Sequence, residues 1–194
     1  MSGKSFVDGH NKVIQLHGVN RPGTEYRCVQ DIPHGFITDD GDLTGTKATG
    51  AAKAVAAITT WKGVNVVRIP LNEDCWLGIN GAGGRGGAFA GQPYRQFIRA
   101  EVEALRKAGI FAVLDLHWSA SGRGLATEQD VGPNVDHSIT FWSQVAKVFK
   151  DRPSVMFDLF NEPHIWCYTA SCRADYNTAA RTAWTMYKLS LIHI

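Results

Sequence analysis

The sequence predicts an α/β fold built on a parallel β-sheet, and two observations carry that prediction. Segments with the composition of buried strands alternate with segments of helical periodicity, at intervals of roughly 45 residues. The predicted strands are also almost continuously apolar, as expected for strands that helices cover on both faces. Four such strand–helix units account for the 194 residues, and nothing in the sequence indicates a linker or a second domain.

The first unit opens with a predicted hairpin. Phe6–Asp8 precedes a turn at Gly9–Asn11, and the apolar run Val13–Val19 then forms the first buried strand. Residues 21–46 make a polar, glycine-containing connection that is longer than most, and such connections are often functional. The alanine-rich segment Ala51–Trp61 has its larger apolar residues close to helical spacing, which predicts a helix.

The second unit contains the strand Val64–Leu71, whose apolar run is interrupted by Arg68. Asn72–Pro93 is predicted to be a flexible surface loop because it is rich in glycine. Tyr94–Gly109 has the periodicity of an amphipathic helix, and it ends on a glycine where a C-terminal cap is expected.

The third and fourth units repeat this order. The strand Ile110–Leu116 ends in a histidine and a tryptophan, and a helix follows from about Ser138 to Lys150. The fourth strand, Val155–Phe160, leads into Asn-Glu-Pro, and a last helix is predicted to begin near Ala174.

Composition excludes several classes of partner. The net charge of +2, without a basic run or an arginine-rich stripe, argues against binding to nucleic acid or to an anionic membrane surface. No apolar run approaches the ~20 residues of a membrane span. The glycine cluster at 81–87 matches neither a P-loop nor a dinucleotide fingerprint, and no Cys or His cluster has zinc spacing. We therefore expect neither a cofactor nor a metal.

Four cysteines, Cys28, Cys75, Cys167 and Cys172, permit three disulfide pairings, and the sequence does not choose among them. Cys167 and Cys172 are close together in a predicted loop, so a local bridge between them is the first pairing to test. Buried free thiols are the alternative.

Polar residues collect where the predicted strands end. Because active sites of strand–helix folds lie at the carboxyl ends of the strands, these residues are candidates for a shared site. They are Asn20, Arg21, Arg68, His117, Trp118, Asn161 and Glu162. Pro163 should hold Glu162 in extended geometry, and a carboxylic acid there could serve as a general acid. The alternative is that Glu162 forms a salt bridge with Arg68 or caps a turn.

The segment Val155–His164 resembles the signature of glycoside hydrolase family 5, the cellulase family. Val66–Pro70, Leu114–Trp118 and Leu16–Asn20 resemble the second, third and first strands of that family. The resemblance implies a retaining (β/α)8 TIM barrel, of which residues 1–194 would be the N-terminal half with about the first four strand–helix units.

The resemblance also implies roles for individual residues. Glu162 would be the acid/base, and Asn161 would bond the sugar 2-hydroxyl at the cleavage subsite. Arg68 would hold and stabilise the nucleophilic carboxylate, and His117 would contact the substrate or the same carboxylate network. Trp118 and Trp76 are candidates for stacking against sugar faces, with core packing as the alternative for each. We rank Trp118 first because it stands directly at a strand end.

The family's nucleophile lies on its seventh strand, so we expect it beyond Ile194 and expect this chain alone to be inactive and poorly soluble. The carboxylates of Glu25, Glu73, Asp115 and Asp158 match no nucleophile motif. Asp115 and Asp158 are expected to be buried partners or inward-facing strand residues.

The leading functional hypothesis is an endo-β-1,4-glucanase that acts with retention on a β-linked polysaccharide or oligosaccharide. A β-mannanase or another β-glycosidase of the family is the first alternative, and a non-catalytic carbohydrate-binding half-barrel is the second. A metal-dependent hydrolase would need a pair of histidines on the first strand, and His17 has no such partner in the sequence. The resemblance implies an extracellular protein, although the chain begins without an apolar signal segment.

Overall fold

The computed structural model describes residues 3, 5–30, 47–83 and 89–163, together with isolated positions between 169 and 185. Within these residues, four parallel strands form one sheet in the order β1-β2-β3-β4. The strands are β1 (Gly18–Asn20), β2 (Val66–Asn72), β3 (Phe111–Trp118) and β4 (Val155–Asp158). The predicted parallel sheet is confirmed, and each strand pairs with its neighbour in chain order.

Helices occupy the connections between the strands. They are α1 (Lys47–Thr59), α2 (Glu73–Leu77), α3 (Gln92–Lys107) and α4 (Ser138–Phe149). The three long helices lie where the apolar periodicity predicts them. The last predicted helix lies mostly outside the described residues, but the isolated positions described there, including Ala174 and Thr178, are helical. Among the described helices, none has the length and apolarity required to cross a membrane.

The core lies between the sheet and these helices. Alternate residues of β2 and β3, including Ile69 and Leu114, are fully buried. On α3, Phe97 and Leu105 are also buried, together with the charged residue Glu101, while Arg99 and Arg106 are exposed. α3 ends at Lys107, and Gly109 beyond it adopts a φ of +74°, which suits glycine. The apolar face of α3 therefore packs in the same core as β2 and β3.

The first strand differs from its prediction. The hairpin is confirmed, since Val7 pairs antiparallel with Val13, but β1 contains only three residues and is largely exposed. Its neighbour in the described sheet is β2 alone, so an apolar run does not guarantee burial at an edge. β4 is the other edge, and Phe157 on it is 36% exposed.

The loop predicted at Asn72–Pro93 contains the short helix α2, which the sequence reasoning missed. The Asn72 side chain accepts a hydrogen bond from the Cys75 backbone N–H at 3.0 Å and so caps the helix. Gly78 ends it in the left-handed conformation, with a φ of +73°. An asparagine followed by two acidic residues was the available signal, and the glycine-rich sequence after it obscured that signal.

A disulfide joins Cys28, in the connection after β1, to Cys75 on α2. The alternative of free thiols is therefore wrong for these two cysteines. Cys167 and Cys172, the pair singled out for a local bridge, lie outside the described residues.

Candidate active site

Arg68 on β2 is the centre of a polar cluster at the carboxyl end of the sheet. Its Nη2 atom lies 3.0 Å from Asp158 Oδ2, 3.1 Å from Asp115 Oδ2 and 2.8 Å from Asn161 Oδ1. The parallel pairing of β3 and β4 brings the two carboxylates together, because Asp115 and Asp158 stand opposite each other in the register of these strands. The carboxylates that pair with Arg68 thus come from Asp115 and Asp158.

Asp115 links this cluster to His117. Its Oδ2 atom lies 2.6 Å from His117 Nδ1, which joins His117 to the cluster around Arg68. Asp115 is fully buried, and burial raises its pKa above the ordinary value, although the hydrogen bond from His117 and the charge of Arg68 act against this. The expectation of a buried partner holds for Asp115, whereas the Asp158 side chain is 41% exposed.

Asn161 follows β4 and is only 3% exposed. Its backbone N–H donates to Leu116 O at 2.9 Å, which fixes the chain beside β3. Because the guanidinium of Arg68 can only donate, the amide oxygen of Asn161 must face it. The amide Nδ2 therefore points elsewhere, and it has no hydrogen-bond partner within the described residues.

Glu162 is exposed at the end of this strand. Gln129 Nε2, from the connection between β3 and α4, donates to Glu162 Oε2 at 3.4 Å. The expected extended geometry is wrong, because the φ of Glu162 is +38°. The proline that follows does disfavour the right-handed helical region, but the chain satisfies that restriction with a left-handed conformation that few non-glycine residues adopt. Such outliers occur preferentially at functional sites.

The two candidate tryptophans have different environments. Trp118 ends β3 beside His117, is half-buried, and lies 6.3 Å from the ring of Tyr26, centroid to centroid. Trp76 is fully buried and packs against Phe141 at 6.0 Å. The expectation that Trp76 stacks against sugar is therefore wrong in this structure, since no face of its ring reaches solvent.

Tyr26 is a rim residue that sequence reasoning missed. It lies in the long connection after β1, two positions before the disulfide at Cys28. The Asn72 amide donates to the neighbouring Glu25 carbonyl at 2.8 Å, and the Tyr94 hydroxyl donates to Thr24 O at 2.8 Å. An aromatic residue in a long polar loop was the signal, and only the fold shows that it faces Trp118.

Two buried acidic residues of α2 hold the connection between β3 and α4. Glu73 accepts hydrogen bonds from Ser138 Oγ at 2.5 Å and from Asn134 Nδ2 at 2.7 Å. Asp74 accepts from the Ala126 backbone N–H at 2.9 Å. Burial raises the pKa of Glu73 to about 8. These carboxylates anchor the connection that carries Gln129.

The same place contains a group that could offer three atoms to a metal ion. Within the described residues, the ligand atoms of Glu73, Asp74 and His137 lie within 4.8 Å of one another. Both carboxylates already accept hydrogen bonds from protein donors. We assign no metal to them.

The fold and the rim define a strand–helix protein of the barrel type, with an arginine, an asparagine and a glutamate brought together at the strand ends. A model of the cellulase family, glycosyl hydrolase family 5, matches residues 19–188. The chain belongs to this family, as the motifs at its strand ends predict.

Individual relatives agree with this assignment. Endoglucanase 1 of Saitozyma flava is 29% identical over 153 residues, which cover 77% of this chain and 40% of the relative. An endocellulase from Pyrococcus horikoshii, in a complex with cellotetraose, superposes with a TM-score of 0.59 at 24% identity, over 84% of this chain and 41% of its own. The catalytic domain of the major endoglucanase from Xanthomonas campestris pv. campestris gives 0.56 at 21% identity, over 95% and 53%.

These structural likenesses establish the fold, which is that of part of a (β/α)8 barrel. The chain spans about two fifths of the length of the curated relative that it matches.

Proposed function

We propose that the protein containing this chain cleaves internal β-1,4 bonds of a glucan with retention of configuration, and that Glu162 is its acid/base. The observation that carries the proposal is the bonding of Asn161 to Arg68 immediately before Glu162. This bond fixes the strand end on which the acid stands.

Asn161 and Arg68 together suit the recognition of a sugar at the cleavage point. Arg68 occupies the amide oxygen of Asn161, which leaves the amide N–H groups as the donors for a ligand. A hydrogen bond to the sugar 2-hydroxyl strengthens as charge develops at the anomeric carbon. His117, tied to Asp115, would contact the substrate or the carboxylate network beside it.

The reaction would proceed in two displacements. A carboxylate nucleophile attacks the anomeric carbon while Glu162 gives its proton to the departing glycosidic oxygen, and the carbon–oxygen bond breaks. Glu162 then takes a proton from water, whose oxygen attacks the same carbon and releases the nucleophile. We place that nucleophile outside residues 1–194, because the resemblance puts it on the seventh strand of the barrel and the described residues supply four strands.

Trp118 would stack against a sugar ring beside the cleavage point, with Tyr26 as its neighbour. The cellotetraose complex of the Pyrococcus horikoshii endocellulase supports a β-glucan oligosaccharide as the ligand to test first. The Cys28–Cys75 disulfide supports an extracellular location, since such bonds persist mainly in oxidising compartments.

The proposal is tested by the substitution Glu162→Gln in the full-length protein that contains this chain. Hydrolysis of carboxymethylcellulose should fall by about 10²- to 10⁴-fold, the usual contribution of a general acid. An aryl cellobioside with an acidic leaving group needs no protonation in the first step, so that step should be much less affected. Exposed Glu128, in the connection between β3 and α4, gives the matched control Glu128→Gln, which should remain active.

Two results would contradict the assignment. Unchanged turnover by Glu162→Gln would leave Glu162 without a catalytic role. A full-length protein that binds β-glucan oligosaccharides but hydrolyses none would instead be the non-catalytic binding protein. Faster cleavage of β-mannan than of β-glucan would favour the mannanase alternative while retaining Glu162 as the acid.

A further inference from the structure

A basic groove runs along the outside of α3 towards the end of α4. It consists of a cavity of about 640 Å³, bordered by Arg99, Arg106, Lys147 and Arg152, and an adjoining cavity of about 330 Å³ that contains Arg95. Arg99 lines both cavities, so they form one continuous feature. We call these five cations and the space between them the basic groove.

The charge of the basic groove is unlike that of the chain as a whole. Among the described residues that line the two cavities, Glu103 is the one acid facing five cations. The excess of positive charge here is larger than the net charge of +2 carried by all 194 residues. A concentration of one sign in a cleft raises the local concentration of ligands of the opposite sign.

Part of the basic groove is held in place, and part is available to a ligand. Arg106 forms a bidentate pair with Glu103 at 2.9 and 2.7 Å, and Arg95 donates to Trp76 O at 2.6 Å. Arg99 and Lys147 have neither an ion pair nor a hydrogen bond from their side chains within the described residues. Arg152 also lies 3.9 Å from Glu103. Three of the five cations therefore have a protein partner, and Arg99 and Lys147 are the two that remain for a ligand.

The floor of the basic groove is apolar. Val102, Val148 and Phe149 line the larger cavity between the charged side chains. Such a floor suits the apolar face of a pyranose ring, while guanidinium groups bind carboxylates with two parallel hydrogen bonds. From Arg95 to Arg106 the helix extends roughly 16 Å, which is the length of a short oligosaccharide.

We propose that the basic groove binds an acidic polysaccharide whose sugar units carry carboxylates, such as a chain of uronic acids. The groove lies on the outer surface of two consecutive helices, and Ser154 on its border directly precedes β4. Glu162 stands beyond the opposite end of that strand. A chain bound in the groove would therefore leave the candidate active site open, and this binding does not depend on the proposed hydrolysis.

The test measures binding of polygalacturonate to the full-length protein that contains this chain, by isothermal titration calorimetry at low and high salt. Fully methyl-esterified polygalacturonate, which has the same backbone without the charge, is the matched probe. We expect binding of the acidic polymer at low salt, loss of it at high salt, and no binding of the ester. The double variant Arg99→Gln/Lys147→Gln should bind at least tenfold more weakly, and Lys12→Gln, in the distant hairpin before β1, should bind like the wild type.

Several results would overturn the proposal. It fails if the acidic polymer does not bind at low salt, or if the double variant binds as well as the wild type does. It also fails if the esterified polymer binds equally well, because charge would then play no part. Equal affinity for single-stranded DNA would show a general attraction to polyanions in place of a polysaccharide site. Circular dichroism checks that the double variant is folded like the wild type, so that a loss of binding is not caused by unfolding.

Discussion

The buried carboxyl group of Glu73 should make the stability of the chain fall as the pH rises. Glu73 is 0% exposed on α2. Its side chain contacts Ser138, the first residue of α4, and Asn134, near the end of the connection between β3 and α4. Asp74 and His137 are the titratable neighbours. We consider Glu73→Gln, which keeps the shape of the protonated acid and can exchange hydrogen bonds with both partners.

The direction of this pH dependence depends on the pKa of Glu73 in the unfolded and the folded protein. In the unfolded chain the group ionises near its ordinary pKa of 4.5, and in the folded chain burial raises the pKa of Glu73 to about 8. Between these values the folded state binds a proton that the unfolded state has lost, so stability decreases as the pH rises. The difference between the two pKa values corresponds to a loss of at most about 5 kcal/mol in the free energy of unfolding, at about 1.4 kcal/mol per pH unit.

The assay is urea unfolding of the full-length protein that contains this chain, as the wild type and as Glu73→Gln, from pH 4.5 to pH 8.5. The free energies of unfolding of the two proteins should coincide near pH 4.5. Between pH 4.5 and pH 8 the wild type should lose stability relative to the variant, so the difference between them should grow. Because the other buried acids are common to both proteins, the difference reports Glu73 together with its interaction with Asp74. Exposed Glu128 gives the control Glu128→Gln, which should show no such divergence. A difference that stays constant with pH would refute the reasoning.

Two further predictions concern the disulfide and the tryptophans. Replacing both Cys28 and Cys75 by alanine should lower the free energy of unfolding by about 4 kcal/mol, because the bond closes a loop with a sequence separation of 47. Denaturant unfolding measures this, and no loss of stability would contradict it. Trp76→Ala should cost about 3–5 kcal/mol of stability. Trp118→Ala should instead weaken oligosaccharide binding about tenfold in the full-length protein, the upper end of an aromatic contact. The reverse pattern would contradict the assignment of the two rings.

Much of the architecture was readable from local sequence. β2 and β3 are continuous apolar runs, and α3 shows apolar residues at helical spacing, so both kinds of element follow from which faces must be buried. Parallel strands also align their carboxyl ends. The prediction that Arg68, His117 and Asn161 would share one rim therefore needed only the strands and their order, and the contacts confirm it.

Other features depended on contacts between distant segments. The carboxylate between Arg68 and His117 is Asp115, and no local pattern distinguishes this acid from others that end strands. The left-handed conformation of Glu162 also escaped prediction, because the restriction imposed by a following proline permits several conformations. The neighbours of the strand end decide among these.

The sequence by itself determined the alternation of strands and helices, the family, and the residues that stand at the strand ends, because periodicity and short motifs are properties of neighbouring residues. Only the tertiary structure decided that Trp76 is a core residue while Trp118 lies on the rim, and that Cys28 pairs with Cys75. The physical reason is the same in each case. Burial and disulfide pairing depend on which distant segments pack against a side chain. Two tryptophans in loops or at strand ends can therefore differ in exposure although the sequence around each gives no sign of it.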